Sequence, residues 1–144
     1  METKLEQPLV WNPDFSTGVA IIDDQHRVLI NMLNEASGKL TDRSPLGDYE
    51  RIVQGLLNYA GYHFGTEERL IGEHGYDKEV AAEAAGHIAQ HKAFAEQVVA
   101  VQAQLKAGQR IKKADLVTFL KDWLIDHMLN TDKKLGAFIR NKSA

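Results

Sequence analysis

His63 stands four residues before Glu67, and His87 four residues before His91. On a helix, residues four apart differ by only about 40° in direction and ~6 Å in height, so each pair is a preformed two-ligand arm. His26 and His127 fall singly on apolar stripes of two further helical segments. Asp132 follows His127 by five residues, about 140° around an ideal helix, so the two can share a site only through a widened turn or a bend. Imidazoles and carboxylates brought together from four helices are costly to bury unless something binds them, and a metal cluster is the natural occupant.

The donor set narrows the metal. The chain has no cysteine, and imidazole-rich sites suit iron, copper, nickel or zinc. Seven donors exceed the roughly four that a tetrahedral zinc site needs. Two metals bridged by both carboxylates and by an oxo or hydroxo group would leave roughly one position of two octahedra open, where a small molecule can bind. Bundle di-iron enzymes that activate dioxygen typically carry four glutamates. Two carboxylates among five neutral imidazoles favour high-valent iron less, which points to binding rather than oxygenation.

The elements that must position these residues read as helix almost throughout. One stripe runs Ile22, His26, Leu29, Leu33, Ala36, Leu40, and a second Ile52, Leu56, Tyr59, His63, Glu67, Leu70. A third runs Val80, Ala84, His87, His91, Phe94, Val98, Val101, Leu105, and the last Leu116, Leu120, Trp123, His127. Steps of three and four mark one buried helix face. The periodicity predicts helices over about 20–41, 46–73, 78–107 and 113–132, an irregular N-terminal arm over 1–17 held by Trp11 and Phe15, and a C-terminal tail to 144. Ser44 is expected to cap the second helix with Pro45 at its first position, and Asp77 to cap the third. Gly75 suits a left-handed position ending the second helix. Asp23 and Asp24 suit the positive end of the first. Short connections give an all-α, up-down-up-down antiparallel four-helix bundle, in one domain spanning 1–144.

Composition excludes other classes. A net charge of −3 leaves no electrostatic footprint for nucleic acid, and no run approaches the ~20 apolar residues of a membrane span. Residues 1–7 lack the apolar segment of a secretory leader. The expectation is a soluble, cytoplasmic, monomeric protein.

Taken in order, Ile22-Asp23-Asp24-Gln25-His26, His63-Phe64-Gly65-Thr66-Glu67-Glu68, His87-Ile88-Ala89-Gln90-His91 and Trp123 through Asp132 resemble the hemerythrin family in its single-domain bacterial form. Trp11, Ser16 and Gly18 resemble that family's opening, so the likeness extends from about Trp11 to the last helix. Asp77 stands where the family usually has proline, and Ile71 where methionine is frequent. The resemblance implies two iron ions (Fe2+/Fe3+) with a bridging oxo or hydroxo group, and O2 as a reversible ligand. It implies that His87, His91 and His127 hold one iron, that His26 and His63 hold the other, and that Glu67 and Asp132 bridge them. It further implies an apolar ligand pocket at Leu29, Phe64, Trp123, Leu124 and Met128.

Other residues carry plainer expectations. His74 lies roughly 10 Å along the helix from Glu67 and reads as structural, near a helix C-terminus. Glu68 reads as a solvated surface charge. Gly61 and Gly65 flank His63 and suggest close helix packing, with a gas path beside the iron as the sharper alternative. The functional expectation is a binding protein and not an enzyme, carrying, storing or delivering dioxygen, with an O2-consuming protein or a reductase as partner. The alternatives are an O2 or redox sensor acting through a separate partner, and a di-iron enzyme handling ferrous iron, peroxide or nitric oxide.

Overall fold

The computed structural model describes residues 8–143. The start of the expected arm and the leader reading at residues 1–7 lie outside the described residues. The long helices are α1 (Ala20–Lys39), α2 (Leu46–Glu73), α4 (Ala81–Lys106) and α5 (Lys113–Asp126), with a single short turn, α3 (Tyr76–Glu79), between α2 and α4. A π-helical stretch, His127–Asp132, follows α5 and leads into α6 (Lys133–Ser143). No strand occurs among the described residues. The four long helices form the antiparallel bundle, in which α1 packs on α2 and α5, and α2 on α4.

The arm is pinned from both sides. Leu9 donates its backbone N–H to Asn34 Oδ1 (2.9 Å), whose amide returns to the Leu9 carbonyl (2.8 Å). Trp11 lies edge-on to the buried ring of Phe15 and under the Arg27 guanidinium. Asp23, one turn into α1, reaches back to accept from Ser16 Oγ, Thr17 Oγ1 and the Thr17 N–H at 2.8–2.9 Å. Its carboxylate therefore serves the arm as well as the helix end, a larger role than dipole compensation alone.

Two expected caps are not made. Ser44 Oγ accepts from the Thr41 N–H (2.9 Å) and closes the loop on itself, while Pro45, with φ −56° and ψ 146°, is the capping residue of α2. Asp77 falls inside α3, and α4 begins only after Val80, without a side-chain cap. Gly75 takes φ 74°, the left-handed value that lets α2 turn into α3. The stretch after Asp132 is helix rather than tail. Leu135 and Ile139, four apart and buried, give α6 an apolar face that packs with Ile22, Leu70 and Ile71.

The apolar interior is in two parts. A larger cluster includes Leu29, Leu33, Phe64, Phe94, Leu124 and Met128, and a smaller one Ile22, Leu70, Ala84, Leu135 and Ile139. On α1, α2 and α4, and from α5 through the π-helical stretch into α6, the stripe passes from one to the other through a histidine or carboxylate, so a polar layer crosses the bundle between them.

Gly61 and Gly65 are exposed, and a Cβ at either would meet nothing within 4 Å. They serve neither close packing nor a gas path, and simply weaken α2. Gly61→Ala and Gly65→Ala should each stabilise the fold by about 0.5–1 kcal/mol, measured by thermal or denaturant unfolding.

Candidate metal centre

Seven side chains fill the polar layer: His26 on α1, His63 and Glu67 on α2, His87 and His91 on α4, and His127 and Asp132 at the ends of the π-helical stretch. None is more than 3% exposed. The wider π turn carries five residues through close to one revolution, and so places Asp132 on the same face as His127. This is the widened turn that the five-residue spacing demanded.

The donor atoms converge in two groups that share Glu67. One comprises Glu67, His87, His91 and His127, and the other His26, His63, Glu67 and Asp132, with the atoms of each group within 4.8 Å of one another. Glu67 Oε1 lies 3.1 Å from His91 Nε2 and 3.2 Å from His63 Nε2. Asp132 spans the groups through its two oxygens. Oδ2 is 2.7 Å from His26 Nε2, whereas Oδ1 is 3.0 Å from His127 Nε2 and 3.2 Å from His87 Nε2.

The outer nitrogens decide what these contacts are. His63 Nδ1 faces Gln25 Oε1 at 2.7 Å, and the Gln25 amide is turned by its donation to Thr66 Oγ1 (3.1 Å). His127 Nδ1 faces Gln90 Oε1 (2.8 Å), which also accepts from Thr131 Oγ1 (2.8 Å). His91 Nδ1 faces Glu68 Oε2 at 3.1 Å. Each acceptor draws the imidazole proton outward, leaving a lone pair on the inward Nε2. His91 Nε2 and His127 Nε2 then face one another at 3.2 Å, with Glu67 Oε1 beside them and no proton donor between. Lone pairs meeting at such distances repel unless a cation sits among them. His26 Nε2, His63 Nε2, His87 Nε2, Glu67 Oε2 and both Asp132 oxygens also lack hydrogen-bond partners despite full burial. The residues fit a metal cluster.

The charge balance points the same way. Burial alone would lower the His127 pKa, but Asp132 and Glu67 beside it push it up to about 9. His87 is likewise raised against its burial by the Asp132 and Glu67 carboxylates beside it. Burial opposes ionisation of Glu67, yet the polar groups crowded around it, Asp132 and the imidazoles, hold it well below the usual carboxylate range. Two buried carboxylates thus demand positive charge at one point.

Beside the second group lies a cavity of about 30 Å³ lined by His26, His63, His127 and apolar side chains, among them Leu29, Phe64, Trp123 and Leu124. Met128, one position past His127, is fully buried in the same larger apolar cluster as Leu29, Phe64 and Leu124 but does not itself line the cavity. Leu33, Leu56, Ala60, Phe94 and Leu120 complete the lining; all but Ala60 stand on the stripes read from the sequence, and Ala60, four residues past Leu56, shares its face. Two of the aromatics also brace the donors: Phe64 stacks on His91 at 3.9 Å and Trp123 on His127 at 4.5 Å.

His74 lies at the C-terminus of α2, outside the cluster, with its backbone N–H bonded to the Leu70 carbonyl. Glu68 is half-exposed but holds His91, so it is more than a surface charge. Gln25, Gln90 and Thr66 were not picked out in the sequence.

Residues 17–139 match the sequence model of the hemerythrin HHE cation binding domain. The chain is 31% identical over 126 residues to a bacteriohemerythrin of Methylococcus capsulatus, covering 85% of this chain and 89% of the relative. It is 32% identical over 127 residues to that of Stenotrophomonas maltophilia, covering 87% and 77%. The crystal structure of a wild-type hemerythrin superposes with a TM-score of 0.80 at 26% identity, covering 91% of this chain and 97% of that one. The chain belongs to the hemerythrin family.

Replacing His91 with Ala should lose at least one metal ion per chain, measured by elemental analysis. His74→Ala should leave metal content and optical spectrum unchanged.

Proposed function

We propose that this chain holds two iron ions and binds dioxygen reversibly, for carriage, storage or delivery. The observation that carries this is the cage of inward lone pairs in two groups sharing Glu67, set against a small apolar cavity. His87, His91 and His127 are assigned to one ion and His26 and His63 to the other, with Glu67 and Asp132 bridging. Iron in this site would supply reversible one-electron chemistry at each ion, which dioxygen capture needs.

The rest follows from the chain's own residues. Gln25, Gln90 and Glu68 keep three imidazoles in the tautomer whose Nε2 is free. Phe64 and Trp123 hold two of the rings in place by stacking. A cavity of about 30 Å³ has room for a diatomic molecule, since one water needs roughly 10–15 Å³. Apart from the three histidines assigned to iron, its lining is apolar, so it offers no side-chain acid to a bound ligand and excludes water. That supports binding over turnover. All seven donors come from one chain, which supports a monomer as the working unit. An O2-consuming protein or a reductase would be its partner.

Purified, fully loaded protein should contain two irons per chain and show an optical spectrum that changes reversibly between deoxygenated and air-exposed samples. One zinc and no iron would end the two-iron assignment; an irreversible change within minutes would favour a sensor or an enzyme.

Leu124→Ala should enlarge the cavity, admit water and speed autoxidation while iron content stays at two. Truncating so buried a leucine costs about 2–5 kcal/mol, so folding is checked alongside by circular dichroism. An autoxidation rate equal to the parent's would remove Leu124 from the guarding wall.

A further inference from the structure

The seven donors are sealed from solvent, yet an ion must reach them. Two cavities touch the cluster. The apolar one offers a hydrated divalent cation no oxygen donor in exchange for its water until it reaches the histidines themselves. The other, about 90 Å³, opens on the opposite side and is lined by Tyr76, Glu83, His87, Gln90, Thr131 and Lys134. At roughly 10–15 Å³ per water it can hold several, enough for a partly hydrated ion.

We propose that the polar cavity beside His87 is the port through which ferrous iron enters the cluster, with Glu83 as its capture residue. The proposal rests on the two-iron reading above. A carboxylate, an amide oxygen and a hydroxyl are the hard oxygen donors that can replace water around such an ion in steps. Glu83 is half-exposed at the mouth, where Lys134 Nζ lies 3.5 Å from its Oε2. An arriving cation competes with Lys134 for that carboxylate. Behind them stands His87, the one residue of its group whose outer nitrogen has no partner. His91 and His127 have their outer nitrogens taken by Glu68 and Gln90, whereas His87 Nδ1 is left unpartnered beside the cavity, a free donor at the inner end of the passage. Gly86 lines the passage without a side chain, and there is open space for a larger residue to fill it.

The test is the rate of ferrous iron uptake by the metal-free full chain under anaerobic conditions, stopped with a ferrous chelator and read as protein-bound iron. Glu83→Gln should slow uptake by roughly threefold or more, and Lys134→Gln should speed it by a similar factor at low salt. Gly86→Leu, which fills the passage without changing charge, should also slow it, while Leu124→Ala and the distant surface change Glu96→Gln should not. All should reach the parent's final iron content. Parent rates for both Glu83→Gln and Gly86→Leu, or acceleration by Leu124→Ala, would overturn the port. A parent that saturates below two ions would instead overturn the two-iron reading, whatever the relative rates.

Discussion

Glu67 and Asp132 are buried side by side with no exposed surface, and the rest of the molecule is arranged around that fact. Two carboxylates in a low-dielectric interior are tolerable only if positive charge is held between them. Five imidazoles turn an inner nitrogen toward the same layer, three of them with the lone pair fixed inward by an outer acceptor, which makes the need for a cation sharper rather than milder. The bundle supplies rigidity instead of charge: four helices fix the donors, and aromatic rings and side-chain acceptors fix the imidazoles.

This demand shapes the core. The polar layer splits the apolar interior into two clusters, and α1, α2 and α4 each contribute to both, while α5 serves the larger and α6 the smaller. The clusters then take different work. The larger one keeps a small dry space against the histidines, while the smaller one closes the end of the bundle where α6 and the arm meet. There Gly136 is obligatory, because a Cβ would come within 2.4 Å of the Thr17 carbonyl oxygen, a backbone atom that cannot step aside.

The four helices and the seven polar residues on them were legible because burial imposes period and convergence on one layer imposes spacing. His63 with Glu67, and His87 with His91, announce themselves on any helical projection. The His127–Asp132 interval was legible as a difficulty: an α-helix could not reconcile it, and the π turn does. Gln25, Gln90 and Glu68 were hidden because each holds a histidine on another helix, a relation that no spacing within one helix encodes. The helical C-terminal stretch was missed although Leu135 and Ile139 carry a four-residue apolar step. Gly61 and Gly65 show the opposite failure, where proximity to a donor suggested a role that open space denies.

The π turn also works as a gear. It adds one residue to the revolution between His127 and Asp132, and everything after it is turned accordingly. Remove a residue from that stretch and α6 would rotate by about 100° relative to the bundle. Leu135 and Ile139 would swing away from Ile22, Leu70 and Ile71, and Gly136 would leave Thr17. Leu129 and Asn130, only partly covered, can change identity far more easily than the segment can change length. Coordination geometry and the closing of the bundle's end are thereby set by the same count of residues.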